Sequence, residues 1–188
     1  MLIIANKKRF VTAVTVLCIL VISVIAIAMI PSVSKAVYPL KYENHIRAYS
    51  DIYDLDPYLV MAVISAESHF DKDAISHKDA KGLMQIKEET AKWCIQHFKL
   101  DADSSDIYEP KTNILIGCSY IDYLIDMFEG NVDTAIAAYN AGQGNVKKWL
   151  ADSRYSDDGN SLKEIPFDET KKYVKKVRHR EEIYRDLY

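Results

Sequence analysis

Val60-Met61-Ala62-Val63-Ile64-Ser65-Ala66-Glu67-Ser68-His69-Phe70 is the stretch that decides the reading of this chain. It is a run of mostly apolar residues that ends in one carboxylate. Just upstream, Asp56-Pro57 is a helix start: an Asp side chain accepts from free amides, and Pro suits the first helical position. A helix from Pro57 to about Ser68 puts Leu59, Val63 and Ala66 along one face and Val60, Ile64 and Glu67 along another. Glu67 then sits at the C-terminal end of a helix that is apolar on nearly all sides. Desolvation and the negative end of the helix dipole both favour its protonated form. A carboxyl that keeps its proton near neutral pH is what a general acid requires.

Working outward, residues 10–30 carry no charge. Twenty-one helical residues span ~30 Å, the hydrocarbon thickness of a bilayer. Lys7-Lys8-Arg9 on the N-terminal side predict that residues 1–9 stay cytoplasmic and that the chain beyond the span lies outside. The expectation is a single-pass membrane anchor at 10–30, a linker at 31–41 containing Pro31 and Pro39, and one extracytoplasmic domain at 42–188. A secreted form, cut near Ala36 after Ser34-Lys35, is the competing reading.

The net charge is −3, from 24 Lys and Arg against 27 Asp and Glu. Lys7, Lys8, Arg9 and Lys35 precede residue 37 with no acid among them, so the remainder holds 20 basic and 27 acidic residues. That balance argues against a nucleic-acid partner, which calls for a basic surface. No Cys/His cluster has metal-ligand spacing, and no cofactor is expected. Cys94 and Cys118 lie in helical patterns; both read as small buried residues, with pairing between them as the alternative.

From Tyr42 the pattern predicts an all-α domain. Helices are expected at Glu43–Tyr53, Pro57–Ser68, about Glu88–Phe98, from Pro110 until Gly130 stops it, Asp133–Tyr139, Val146–Leu150, and from a capping Asp168 to about Leu187. Asp71–Gly82 and Arg154–Pro166 are polar and turn-rich, and Asn140–Asn145 reads as a glycine-containing loop. The last helix carries Lys171, Lys172, Lys175, Lys176, Arg178 and Arg180, either a solvated face or a contact for anionic polymer or lipid headgroups.

Four stretches line up in order: Glu67-Ser68 with Phe70, Ala74 and Ser76; Gly82-Leu83-Met84-Gln85; Ala138-Tyr139-Asn140-Ala141-Gly142; and Ile165-Pro166-Phe167 followed by Glu169-Thr170 and Tyr173-Val174. Pro110, Asn113-Ile114, Gly117 and Tyr120 lie between the second and third. Over Tyr42 to Val177 this resembles the lytic transglycosylases with a soluble-lytic-transglycosylase catalytic domain, relatives of goose-type lysozyme. The resemblance implies an all-α, lysozyme-like fold with a groove for a peptidoglycan strand. It implies Glu67 as the sole catalytic acid and Ser68 as a support beside it. Gly82, Leu83, Met84 and Gln85 would line the groove, with Met84 and Gln85 facing the sugars. Tyr139, Asn140, Ala141 and Gly142 would stand opposite, and the Tyr173 hydroxyl would reach the carboxyl or the substrate's N-acetyl group.

The implied reaction cuts the β-1,4 bond between N-acetylmuramic acid and N-acetylglucosamine and leaves 1,6-anhydro ends. A hydrolytic muramidase is the close rival, and a silent glycan-binding scaffold in an envelope machine is the rival of another class. The usual glycosidase pair of carboxylates has no second member here, because Asp71, Asp73, Glu88 and Glu89 all read as solvated or capping residues. The chain departs from the family pattern at His77, Asp79, Cys118 and Gln143.

Overall fold

The computed structural model describes residues 15, 16, 19–23 and 34–188, in two compact units. In the first, residues 1–38, the described backbone is helical at 15–16, 19–23 and 34–37. Val16, Ile19, Leu20, Val21 and Ile22 are all exposed. Most of the span expected at 10–30 lies outside the described residues. Among the described residues no helix is long and apolar enough to cross a membrane.

The second unit, Pro39 to Asp186, is built around the helix that carries Glu67. Helix α1 covers Glu43–Ile52 and α2 covers Pro57–Ser68. The cap of α2 is as expected: Asp56 Oδ1 accepts from the Tyr58 amide at 2.9 Å, with Pro57 in the first turn. Leu59 through Ser65 are buried without interruption, so α2 is enclosed on every side rather than along one stripe. The helix stops where His69 turns left-handed at φ 54°.

A two-stranded antiparallel hairpin comes next, β1 (Ala80–Lys81) paired with β2 (Ile86–Lys87). It corrects the all-helical expectation. Two residues per strand are too few to show an alternating pattern, and the pairing is set by the intervening turn. Helix α3 is Glu88–Phe98, a short 3-10 turn spans Ser104–Asp106, and α4 is Pro110–Met127. Then come α5 (Val132–Ala141), α6 (Gln143–Leu150) and α7 (Asp168–Leu187). Helix α4 is the long spine. It packs against α1, α3 and α5, and α6 lies on α5.

Two boundaries differ from expectation for local reasons. The loop expected at Asn140–Asn145 contracts to Gly142, whose φ of 86° breaks one helix and starts the next at Gln143 instead of Val146. Asp168 does not cap α7. Phe167 holds the cap position, and Asp168 with Glu169 occupies the first turn, where acids suit the positive end of the dipole. Cys94 and Cys118 are both buried free thiols. Asp79 takes a left-handed φ of 57°, a region that Asp tolerates better than most residues.

Candidate active site

Glu67 lies in the last turn of α2, half-buried, where two hollows meet. One, of about 350 Å3, is lined by residues that include His77, Lys78, Gln85, Lys87, Tyr120 and Tyr139. The other, of about 320 Å3, runs along α7 past Lys172, Tyr173 and Lys176. Glu67, Asn140 and Glu169 border both, so a strand lying through the two hollows passes over the carboxyl.

The Tyr173 hydroxyl donates to Glu67 Oε1 at 2.6 Å. Burial pushes the Glu67 carboxyl up to about 7, with the Tyr173 hydrogen bond and the Lys176 charge pulling it down. Lys176 Nζ donates to the Ala66 carbonyl at 2.7 Å, and Arg180 donates to the Ser65 carbonyl and to Ser65 Oγ. Two cations therefore close the C-terminal end of α2, where free carbonyls and a negative dipole end would otherwise face the acid. Burial, and then the Arg180 charge, lowers the pKa of Lys176 in turn.

The wall opposite α7 is a turn held from behind. Gly82 has φ 74°, and a Cβ there would run into the Asn113 side chain. Asn113 is fully buried. Its amide donates to Lys81 O at 3.1 Å and Ile107 O at 2.7 Å, and its Oδ1 accepts from the Met84 amide at 2.8 Å. Ser68 Oγ donates to Leu83 O at 2.8 Å and Tyr139 OH to Met84 O at 2.7 Å. These inward-facing carbonyls and the Met84 amide thus have side-chain partners, as buried backbone requires.

Leu83 and Met84 are wholly buried. Met84 does not face the sugars. Its thioether packs on Gly117 of α4, where a Cβ would collide with it, and its amide and carbonyl are engaged by Asn113 and Tyr139. Gln85 does line the groove. It sits at φ 48°, and its amide nitrogen donates to Ala74 O at 3.1 Å and Gly82 O at 3.0 Å. That leaves the Gln85 carbonyl oxygen as the atom available to a ligand. Asn140 Oδ1 accepts from Thr170 Oγ1 at 2.8 Å, which ties α5 to α7 beside Glu67. Ala141 and Gly142 border the same hollow as Gln85.

Sequence reasoning did not assign several residues to the groove. Glu169 is a second carboxylate there, exposed and paired with Lys78 at 3.8 Å. Lys78, Lys87 and Tyr120 border the first hollow as well, and Lys172 and Lys176, on the face read as either solvated or a polymer contact, border the second. Glu169 stood in the fourth stretch and Tyr120 between the second and third, but only the rotation of α7 and α4 about their axes shows which way they face. Tyr120 continues from Tyr139, 5.7 Å between ring centroids, into a cluster with Tyr123 and Trp93. Of the four acids weighed as a second carboxylate, Glu88 pairs with Lys92 and Lys81, and Asp73 with Lys72.

The chain is similar to known proteins. The soluble lytic murein transglycosylase of Escherichia coli strain K12 is 36% identical over 151 residues, covering 79% of this chain and 23% of that protein. The membrane-bound lytic murein transglycosylase C of Edwardsiella ictaluri is 28% identical over 173 residues, covering 78% of this chain and 47% of the relative. The crystal structure of the 70-kDa soluble lytic transglycosylase of Escherichia coli superposes with a TM-score of 0.73 at 31% identity, over 82% of this chain and 25% of that one. The chain thus spans about a quarter of the length of the soluble relatives it matches. The family described as the transglycosylase SLT domain matches residues 44–162. With its lysozyme-like, mostly helical fold, the chain belongs to the transglycosylase SLT domain family.

Proposed function

We propose that this protein is a peptidoglycan lytic transglycosylase. It cuts the β-1,4 bond between N-acetylmuramic acid and N-acetylglucosamine, with Glu67 as acid and then base. The observation that carries the reading is the Glu67 carboxyl itself: protonated up to about pH 7, held at one oxygen by Tyr173, and set where the two hollows meet.

In this mechanism Glu67 gives its proton to the glycosidic oxygen as the bond to the anomeric carbon breaks. The substrate's own N-acetyl oxygen stabilises the cation left behind, as in substrate-assisted glycosidases. Tyr173 and Lys176 favour the carboxylate that has just formed. Their contribution grows as charge develops, and that is the condition for lowering a barrier. The carboxylate then takes the proton of the muramyl 6-hydroxyl, whose oxygen bonds to the anomeric carbon and closes the 1,6-anhydro ring. One bond breaks, one forms, and Glu67 ends as it began. Gln85, Asn140, Ala141 and Gly142 shape the sugar subsites, and Ser68 and Tyr139 hold the turn from Gly82 to Met84 that positions Gln85.

A hydrolytic outcome would need a base for water. Glu169 is the carboxylate that borders the same hollows, but it is exposed and paired with Lys78 at 3.8 Å. Mass analysis of the products from purified wall sacculi tests the reading. Anhydro ends, one water lighter than reducing ends, are expected, and they should vanish with Glu67→Gln. Reducing ends alone would establish a muramidase.

The catalytic domain at 42–188 is proposed to work outside the cell, tethered by residues 10–30 through the linker at 31–41. The uncharged run, the basic residues before it and the exposed Val16 and Ile19 to Ile22 support this reading. A linker of that length reaches at most ~40 Å from the bilayer. Retention of the chain in carbonate-washed membranes checks the tether; its release would favour cleavage near Ala36.

A further inference from the structure

The charge along the groove runs against that of the rest of the domain. Beyond residue 37 the chain holds 20 basic and 27 acidic residues. Yet the two hollows are bordered by Lys78, Lys87, Lys172 and Lys176, and by only two carboxylates, Glu67 and Glu169. Burial pushes the Glu67 carboxyl up to about 7, which leaves it about half protonated near neutral pH, and Glu169 is paired with Lys78.

Several other cations of α7 have structural duties, and Lys175 borders neither hollow. Lys171 pairs with Glu164, Arg178 with Asp133 and Glu181, and Arg180 and Lys176 hold the end of α2. Lys172 has no carboxylate partner among the described residues and borders the second hollow. Lys87 is its counterpart in the first. It stands exposed at the end of β2, and the adjacent Glu88 is already engaged by Lys81 and Lys92. Two such ammonium groups, one in each hollow, can donate to a neutral sugar, but it offers their charge no counter-ion. Glycan of the wall is not neutral, because each muramic acid carries a short peptide with free carboxylates.

We propose that Lys87 and Lys172 bind carboxylates of these peptides, so that the groove selects peptide-bearing glycan over strands lacking acidic peptide. The inference rests on the reading of the groove as a wall-glycan site, and deepens it by assigning the peptide contacts.

The test is binding, with cutting switched off. The full chain carrying Glu67→Gln is titrated with soluble peptide-bearing glycan strands, and with the same strands after their carboxylates have been converted to methylamides. Methylamidation is expected to weaken binding about fivefold, the size two solvent-screened ion pairs provide. Adding Lys87→Gln and Lys172→Gln should weaken binding of the acidic strands by the same factor and leave the methylamidated strands bound as before. Both lysines are exposed, so the substitutions leave the core alone. A double variant that still prefers the acidic strands overturns the proposal, as does a parent with no preference. Products from the protein with Glu67 intact report separately on the proposed reaction.

Discussion

Tyr173 and Glu67 lie 106 positions apart in the chain and share a hydrogen bond of 2.6 Å. The bond is stronger to the carboxylate than to the acid, so it lowers the Glu67 pKa while burial raises it. The groups that face this carboxyl are Tyr173 and Lys176 from α7 and, more remotely, Tyr139 from α5. Replacing Tyr173 by Phe removes a brake on the pKa. The acid must be protonated to act, so kcat/KM falls as pH rises through the pKa of the free enzyme. In Tyr173→Phe that alkaline limb should move to higher pH by about one unit, the equivalent of a hydrogen bond to a charged group. Lys176→Gln should move it the same way. A pH profile of glycan cleavage for the three proteins checks both.

Glu67 should also cost stability as pH rises. Its ordinary value is 4.5, and in the folded protein it is about 7. Between these the folded chain holds a proton that the unfolded chain has released. Stability is therefore full below about pH 4.5 and declines up to about pH 7, by at most roughly 3 kcal/mol. Glu67→Gln carries no such proton. Urea unfolding at pH 5 and pH 8 should show the variant gaining on its parent by up to that amount; a constant difference would mean that the carboxyl is not desolvated.

Asn113→Ala should be among the most damaging substitutions outside the acid. It strips partners from the Met84 amide and from the carbonyls of Lys81 and Ile107 in one step. Unfolding measurements should show a loss of roughly 3–5 kcal/mol, and the glycan affinity of whatever folds should fall because the turn from Gly82 to Gln85 is unpinned.

Gly117→Ala tests the burial of Met84. Alanine is the better helix former by ~1 kcal/mol, so the exchange would help in an open helix. Here its Cβ meets the Met84 thioether in a closed core, and a net loss of about 1–2 kcal/mol is expected. Shortening the neighbour, as in Gly117→Ala with Met84→Val, should recover part of the loss in thermal unfolding.

The features legible in the sequence were local. Asp56-Pro57 at the start of α2 and Pro110 at the start of α4 each act through their own backbone, and each marks its boundary. The four stretches brought Glu67, Gln85, Asn140 and Tyr173 to one groove on paper, and in space they border it. The orientation of side chains was not legible. Met84 turns inward because Gly117, on a distant helix, leaves room for it. Glu169, Lys172 and Lys176 face the groove because α7 docks at one rotation, set by Tyr173, Val174 and Val177 packing underneath. The hairpin stayed hidden because Asn113, Ser68 and Tyr139, all on other elements, hold the turn that makes it.

The docking of α7 also ties two distant parts of the chain into one proton site. Tyr173, Lys176, Arg180 and the Thr170 tie to Asn140 all belong to α7, about a hundred residues beyond Glu67. The carboxyl and the groups that tune its hold on a proton are thus laid down separately, and on the proposed reading competence to cut waits on their meeting.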